Sequence, residues 1–345
     1  MNTRSKTAQE GEAMRHVART VSTIGLAIVT LGGALGIARA QQNPFRLVEN
    51  WAQVPPRFAW GELADADLDA QGNLWVLHRP PTPGGTAWVA GSRKGGEVPV
   101  LMFDASRKLV KSFGQGMFLQ PHGLHVDPEG NIWVADSGPF YEAGKVEGKG
   151  FQVFKFNQDG KLLMTLGKAG VGVAGPDTFV GPTDVVVNAR GDIFVADGHT
   201  PRPGSSDGDR IVKLSKDGKF IKAWGSQRGS GPGQVIGPHR LALDSQGRLF
   251  VADRGNRRIQ IFDQDGRFLD QWTQFGSPSG IWIDKHDTMY VAVPGQDGGI
   301  RIGSAKTGSL TAVIRDTSPE VAIADSQGNV YSGLVGGQKL QQFVK

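Results

Sequence analysis

The chain has no cysteine among its 345 residues. Disulfides, a thiolate nucleophile, a Cys-ligated zinc and an iron–sulfur cluster are therefore excluded, and stability must come from burial and sheet closure. Uninterrupted apolar stripes of helical period are also scarce, which argues against a helical bundle. The charge surplus shrinks on inspection. The formal net charge is +5, but positions 1–40 hold five Lys or Arg against two Glu, leaving 33 basic and 31 acidic residues in the remainder. No basic run interleaved with aromatics remains, so nucleic acid is not an expected partner.

Positions 1–40 read differently from the rest. Arg15 and Arg19 precede a small-residue apolar run from Val21 to Ile37, which ends in Ala38-Arg39-Ala40, a small-x-small cleavage pattern. The expectation is an export signal cut after Ala40, with residues 1–13 an upstream mis-start ahead of Met14. That gives a periplasmic or secreted protein with no stable membrane span after cleavage.

What the chain has in abundance is turns: 50 glycines and 19 prolines punctuate short runs of Val, Ile and Phe, an all-β signature. One hairpin recurs as LADADLDAQGNLWVLHR (63–79), HGLHVDPEGNIWVADS (122–137), TDVVVNARGDIFVADG (183–198), HRLALDSQGRLFVADR (239–254), SGIWIDKHDTMYVAVP (279–294) and EVAIADSQGNVYSGL (320–334). Gly72, Gly130, Gly191, Gly247 and Gly328 mark the turns, with Asp287 in that place in the fifth copy. Second hairpins lie between these, so four strands recur six times, the pattern of a six-bladed β-propeller. KLQQFVK at the chain end lacks a partner strand and PFRLVENWA near the start offers one, which closes the ring over 41–345. Pro80 to Gly96 and Thr200 to Asp209 read as long rim loops.

A regular repeat makes positions equidistant from the turn equivalent. Eight residues before it, where the inner strand begins, stand Ala64, His122, Thr183, His239, Ser279 and Glu320. These converge on one channel mouth, and two imidazoles with one carboxylate form a set that binds zinc or a similar divalent ion. Just past the turn's second strand, Arg79 and Arg254 occupy a place where other blades have Ser, Gly or Pro, and Asp136, Asp197 and Asp253 precede it. The arginines read either as a clamp for an anionic substrate or as partners of those aspartates. The aspartates read as ties for nearby turns.

PHGLHVDPEGNIWVAD, GPTDVVV, FVADGHTPR, GPHRLALDSQGRLFVADRGNRRIQIF and VLHR together resemble NHL repeats and the catalytic core of the peptidyl-α-hydroxyglycine α-amidating lyases, over residues 74 to about 335. The resemblance implies a zinc held by one histidine from each of three blades, the first at His122 and the second at His239. The third falls on Glu320, in SPEVAIA, where the family has Pro-His-Asp. The same change puts Val321 in place of an aspartate that helps bind a structural calcium, so the resemblance does not carry that ion over. The family's arginines map to Arg79 and Arg254, and its tyrosine base maps to His199 in ADGHT. A carboxylate in place of a neutral histidine lowers the metal's net charge and so its Lewis acidity.

The resulting expectation is an exported, monomeric, metal-dependent carbon–nitrogen lyase acting on a small or peptide-end, anionic α-hydroxy amide. His122, His239 and Glu320 form its metal set, His199 its base, and Arg79 and Arg254 its cationic clamp. Two other readings stay open: a non-catalytic propeller that binds a protein or glycan, and a gluconolactonase-like metal-dependent hydrolase.

Overall fold

The computed structural model describes residues 43–345 except 57, 81–97, 139–147, 200–207, 297 and 338. The expected signal at 1–40, and nearly all of the two expected rim loops, lie outside the described residues. Among the described residues no helix is long and apolar enough to cross a membrane.

Six four-stranded antiparallel sheets form a six-bladed propeller. Blades 1 to 5 span 62–113, 121–167, 182–224, 238–272 and 280–314, and blade 6 joins 321–344 to the strand Arg46–Val48. That strand pairs antiparallel with Lys339–Val344, Leu47 opposite Phe343. The two ends of the described chain thus share one sheet, which removes the free edge that an open ring would expose.

The hairpin turns form because Gly72, Gly130, Gly191, Gly247 and Gly328 all take φ between 74° and 88°, a region most side chains avoid. Asp287 adopts φ 63° in the fifth turn, which Asp tolerates better than most residues. Its carboxylate also accepts bonds from the Ser245 amide and hydroxyl at 2.8 and 2.7 Å.

The core lies between neighbouring blades. Trp75, Leu77 and Met102 of blade 1 pack on Ile132, Val134 and Phe156 of blade 2. Phe250, Ile259 and Ile261 of blade 4 meet Met289 and Val291 of blade 5. Each fully buried side chain of this size contributes roughly 1.5–3 kcal/mol, so the ring holds itself together without covalent ties.

The inner strands of blades 1 to 4 begin at Glu62, Pro121, Pro182 and Pro238. In each, the pairing register slips by one residue right at the equivalent entrance position: between Leu63 and Asp65, Pro121 and Gly123, Pro182 and Asp184, and Pro238 and Leu241. A bulge leaves the extra residue unpaired and re-aims its side chain. Ala64, His122, Thr183 and His239 sit at these bulges. The histidines are thereby turned toward one end of the channel.

Candidate metal centre

His122 and His239 are 2% and 0% exposed. The ring of His122 has Nδ1 2.8 Å from the Thr183 carbonyl, and that of His239 has Nδ1 2.7 Å from the Ser279 carbonyl. His239 donates its Nδ1–H to the equivalent residue of the next blade, which leaves a lone pair on Nε2, the usual outer support of a metal-ligating histidine. His122 Nδ1 lies against both the Thr183 carbonyl and, at 2.8 Å, Nη1 of Arg240, which can only donate.

His199 comes from the chain just past the strand Ile193–Asp197. Gly198, at φ 125°, turns the backbone there, and its amide donates to the Gly181 carbonyl at 2.9 Å. The turn carries His199 back over the channel mouth. The three rings form a nearly even triangle, with centroids 4.7, 4.9 and 5.0 Å apart. Their ligand nitrogens all lie within 4.8 Å of one another, and the Nε2 atoms of His199 and His239 are 3.2 Å apart.

Arginines surround the triangle. Arg254 places Nη1 2.8 Å from His239 Nε2, donating to the lone pair there, and keeps about a third of its side chain exposed at 36%. It stands at the start of a single 3-10 turn, Arg254–Asn256. Arg79 is buried; its Nε donates to the Pro121 carbonyl at 2.9 Å and its Nη1 to Glu62 at 3.1 Å. Arg240 donates from Nη1 and Nη2 to main-chain carbonyls beneath the rings. Burial together with these cations pushes His122 and His239 well below the usual imidazole range and His199 down to about 3. All three are neutral at ordinary pH, the state in which imidazole binds a metal.

Glu320 begins blade 6, its amide donating to the Gly333 carbonyl at 2.8 Å. Its Oε1 lies 3.3 Å from His239 Nε2 and 4.0 Å from Arg254 Nη1. The structure thus brings all six expected site residues to one mouth. The composition of the converging set differs from the expectation, however: the third histidine beside His122 and His239 is His199, expected as the base, and Glu320 stands at the edge of the triangle. Three imidazoles whose ligand nitrogens lie this close are a donor set that suits zinc or another borderline divalent ion.

The hydrogen bonds bear on one of the two readings of the arginines. Asp136 accepts the amides of Leu119 and Gln120 at 2.9 and 2.5 Å, and Asp197 those of Val180 and Gly181 at 2.8 Å each. Asp253 accepts from Ile236 and pairs with Arg258, as Asp197 pairs with Arg210. The aspartates tie turns, as expected, and among the described residues neither Arg79 nor Arg254 hydrogen-bonds to them, although the charge of Arg79 reaches Asp136. His78, near the same mouth, is a core residue: its Nδ1 accepts from Gly61 and Phe58 and Trp60 pack on its ring.

Arg240 was not singled out by the sequence pattern. Its signal was visible one residue past the entrance position, where the blades carry Asp65, Gly123, Asp184, Arg240, Gly280 and Val321. A lone arginine in a ring of small and acidic residues marks a buried ion network. Past it, the channel widens into a cavity of about 180 Å³ lined by Asp67, His125 and Trp282.

Fold and site together define a β-propeller with a three-histidine cluster at its channel mouth. The NHL repeat model matches residues 118–140 and 236–262, the two segments that contain His122 and His239. Among curated proteins, the chain is 31% identical to peptidyl-glycine alpha-amidating monooxygenase A of Xenopus laevis, over 79% of this chain and 30% of that one. It is 36% identical to peptidyl-alpha-hydroxyglycine alpha-amidating lyase 1 of Drosophila melanogaster, over 49% and 30%. With human NHL repeat-containing protein 3 it shares 29% identity, over 89% and 86%. The chain spans less than a third of the length of the amidating relatives named here. Of solved structures, virginiamycin B lyase from Staphylococcus aureus is similar at TM-score 0.55 and 14% identity, over 86% of this chain and 85% of that one. A gluconolactonase from Xanthomonas campestris is similar at TM-score 0.54 and 17% identity, over 83% and 86%. These two likenesses show the propeller fold. The chain carries NHL repeats and is homologous to amidating-lyase-like proteins and to NHL repeat-containing protein 3.

Proposed function

We propose that this protein is an exported, metal-dependent lyase that opens an anionic α-hydroxy amide, breaking its carbon–nitrogen bond to give an amide and an α-oxo acid. The observation that carries the reading is the triangle of neutral imidazoles of His122, His199 and His239 beside Arg254. Homology to the amidating lyases supports the reaction class, and the N-terminal signal pattern supports export.

In this reading the three histidines hold the metal through Nε2. Zinc is the ion that such a set favours, and when bound it would polarise a substrate oxygen as a Lewis acid. The residues do the rest. Arg254, partly exposed, grips the substrate carboxylate with its guanidinium fork. Arg79, tied to Glu62 and the Pro121 carbonyl, adds fixed positive potential and keeps the anion at the mouth. Glu320 takes the proton of the hydroxyl group. As that O–H bond breaks, its electron pair forms the new C=O bond, the C–N bond breaks, and the departing nitrogen gains a proton. His199 is better suited to hold a metal than to act as base, because a ring held at about pKa 3 takes up almost no protons at neutral pH.

The test is glyoxylate release from a peptide ending in α-hydroxyglycine, using metal-stripped protein with zinc added back. Zinc-dependent release that collapses in Glu320→Gln with metal content unchanged is the expected result. No turnover by fully zinc-loaded protein would rule out this substrate. A non-catalytic propeller is the second reading, favoured by the match along 86% of NHL repeat-containing protein 3; it expects no bound metal and no effect of alanine at His122 or His239 on partner binding.

A further inference from the structure

Arg240 is 2% exposed and stands in blade 4, one residue past His239. Its Nη2 donates to the carbonyls of Ala64 and His122 at 2.5 and 2.8 Å, and its Nη1 to those of Thr183 and His239 at 3.1 Å each. One guanidinium therefore gathers the main-chain oxygens of the entrance residues of blades 1, 2, 3 and 4. Those are the four blades with an entrance bulge.

Two carboxylates complete the surroundings. Asp65 Oδ2 lies 3.3 Å from Arg240 Nε and accepts the Leu124 amide at 2.6 Å. Asp184 Oδ2 accepts the Leu241 amide at 2.7 Å, so each aspartate also joins its blade to the next. Space for them is made in blade 2, where a Cβ on Gly123 would fall 2.6 Å from both Asp184 Oδ1 and the Thr183 carbonyl. Any other residue there would push the oxygens apart.

Four carbonyls and the Asp65 carboxylate surround this one guanidinium, with the charge of Asp184 nearby, and oxygens are the donors a hard divalent ion takes, six to eight at once. Here a side chain fills that place. Val321 offers no ligand where the resembled family has a calcium-binding aspartate, and the axial oxygens here already hold a guanidinium. We propose that Arg240 is a built-in cation occupying an oxygen-lined axial site, that it joins blades 1 to 4 across the channel without calcium, and that removing its side chain uncovers a latent calcium site. The inference stands apart from the lyase reading.

The experiment compares thermal unfolding of wild type, Arg240→Ser, Arg240→Met and Arg240→Lys, each with no added divalent ion, with millimolar calcium and with matched sodium chloride. Wild type should show no calcium-dependent shift in Tm. Arg240→Ser should melt many degrees lower and regain much of the loss with calcium alone, and calcium titration should show one site absent from wild type. Arg240→Met should lose stability likewise, with less rescue because its side chain still crowds the site. Arg240→Lys should fall between and ignore calcium, because a cation remains. If Arg240→Ser fails to fold without calcium but folds with it, the proposal is supported. It is overturned if calcium raises the wild-type Tm, if Arg240→Ser matches wild type, or if no variant responds to calcium. Zinc content measured on the same samples reports separately on the histidine cluster.

Discussion

Blades 2 to 4 and blades 5 and 6 repeat one hairpin, yet they do different work at the channel mouth. Blades 2 and 4 supply His122 and His239 from bulges at the strand entrance, a slip that blades 1 and 3 share, and blade 3 adds His199 from just past its second strand. Blades 5 and 6 supply Ser279 and Glu320 from entrances whose register runs without such a slip. The difference teaches that a near-symmetric scaffold obtains an asymmetric site by local backbone irregularity, which decides where a side chain points even when sequence position is equivalent.

That asymmetry can be broken on either side. The largest effect is expected from His122→Ala or His239→Ala. Either should cost more metal affinity than the roughly 10–100-fold typical of losing an outer-shell partner, read by competition with a zinc indicator. On the other side of the ring, Glu320→Gln should leave that affinity nearly intact while lowering kcat by about 10²–10⁴, the usual contribution of a proton acceptor. Equal losses in metal and rate would instead make Glu320 a ligand. Arg254→Gln should raise KM for an anionic substrate and weaken kcat/KM by roughly 10–100-fold, in line with the 1.5–3 kcal/mol of a charge-assisted hydrogen bond; an unchanged KM would remove it from substrate binding. The smallest effect should come from Ser279→Ala, because the Ser279 hydroxyl is buried without a hydrogen-bond partner while the carbonyl that orients His239 survives. Chemical unfolding should place that variant within about 1 kcal/mol of wild type.

A pH effect sharpens the contrast between the two ends of the channel. At the end away from the histidine cluster, His125 Nδ1 lies 3.1 Å from Asp67 Oδ2. Burial opposes the charged ring, but the hydrogen bond and charge of Asp67, with Asp184 and Asp127 nearby, outweigh it and raise its pKa. A group with a raised folded pKa stabilises fully below the unfolded value near 6.5 and loses that contribution as pH rises through the folded value. Wild-type stability relative to His125→Gln should therefore fall on going from pH 6 to alkaline pH, as followed by urea unfolding. A flat difference would contradict the ion pair.

Much of this was legible in the sequence. The six hairpins, the turn glycines, the closing strands and the convergence of His122, His239, Arg79, Arg254 and Glu320 on one mouth follow from counting outward from the turns. Two things were less legible. His199 was expected at this mouth, but as the base; it sits two residues beyond its strand, and the turn at Gly198 is what brings its ring within reach of the other two. Arg240 was hidden for a different reason: its partners are main-chain oxygens of four separate blades, and backbone acceptors leave no trace in residue type.

The central claim is that His122, His199 and His239 together hold one divalent metal. Its most direct test is the metal content of purified protein by elemental analysis, comparing wild type with His199→Ala and Glu320→Gln. One equivalent of zinc or a similar ion in wild type and Glu320→Gln, lost in His199→Ala, is the result the account predicts; metal retained in His199→Ala and lost in Glu320→Gln, or none in wild type, would contradict it.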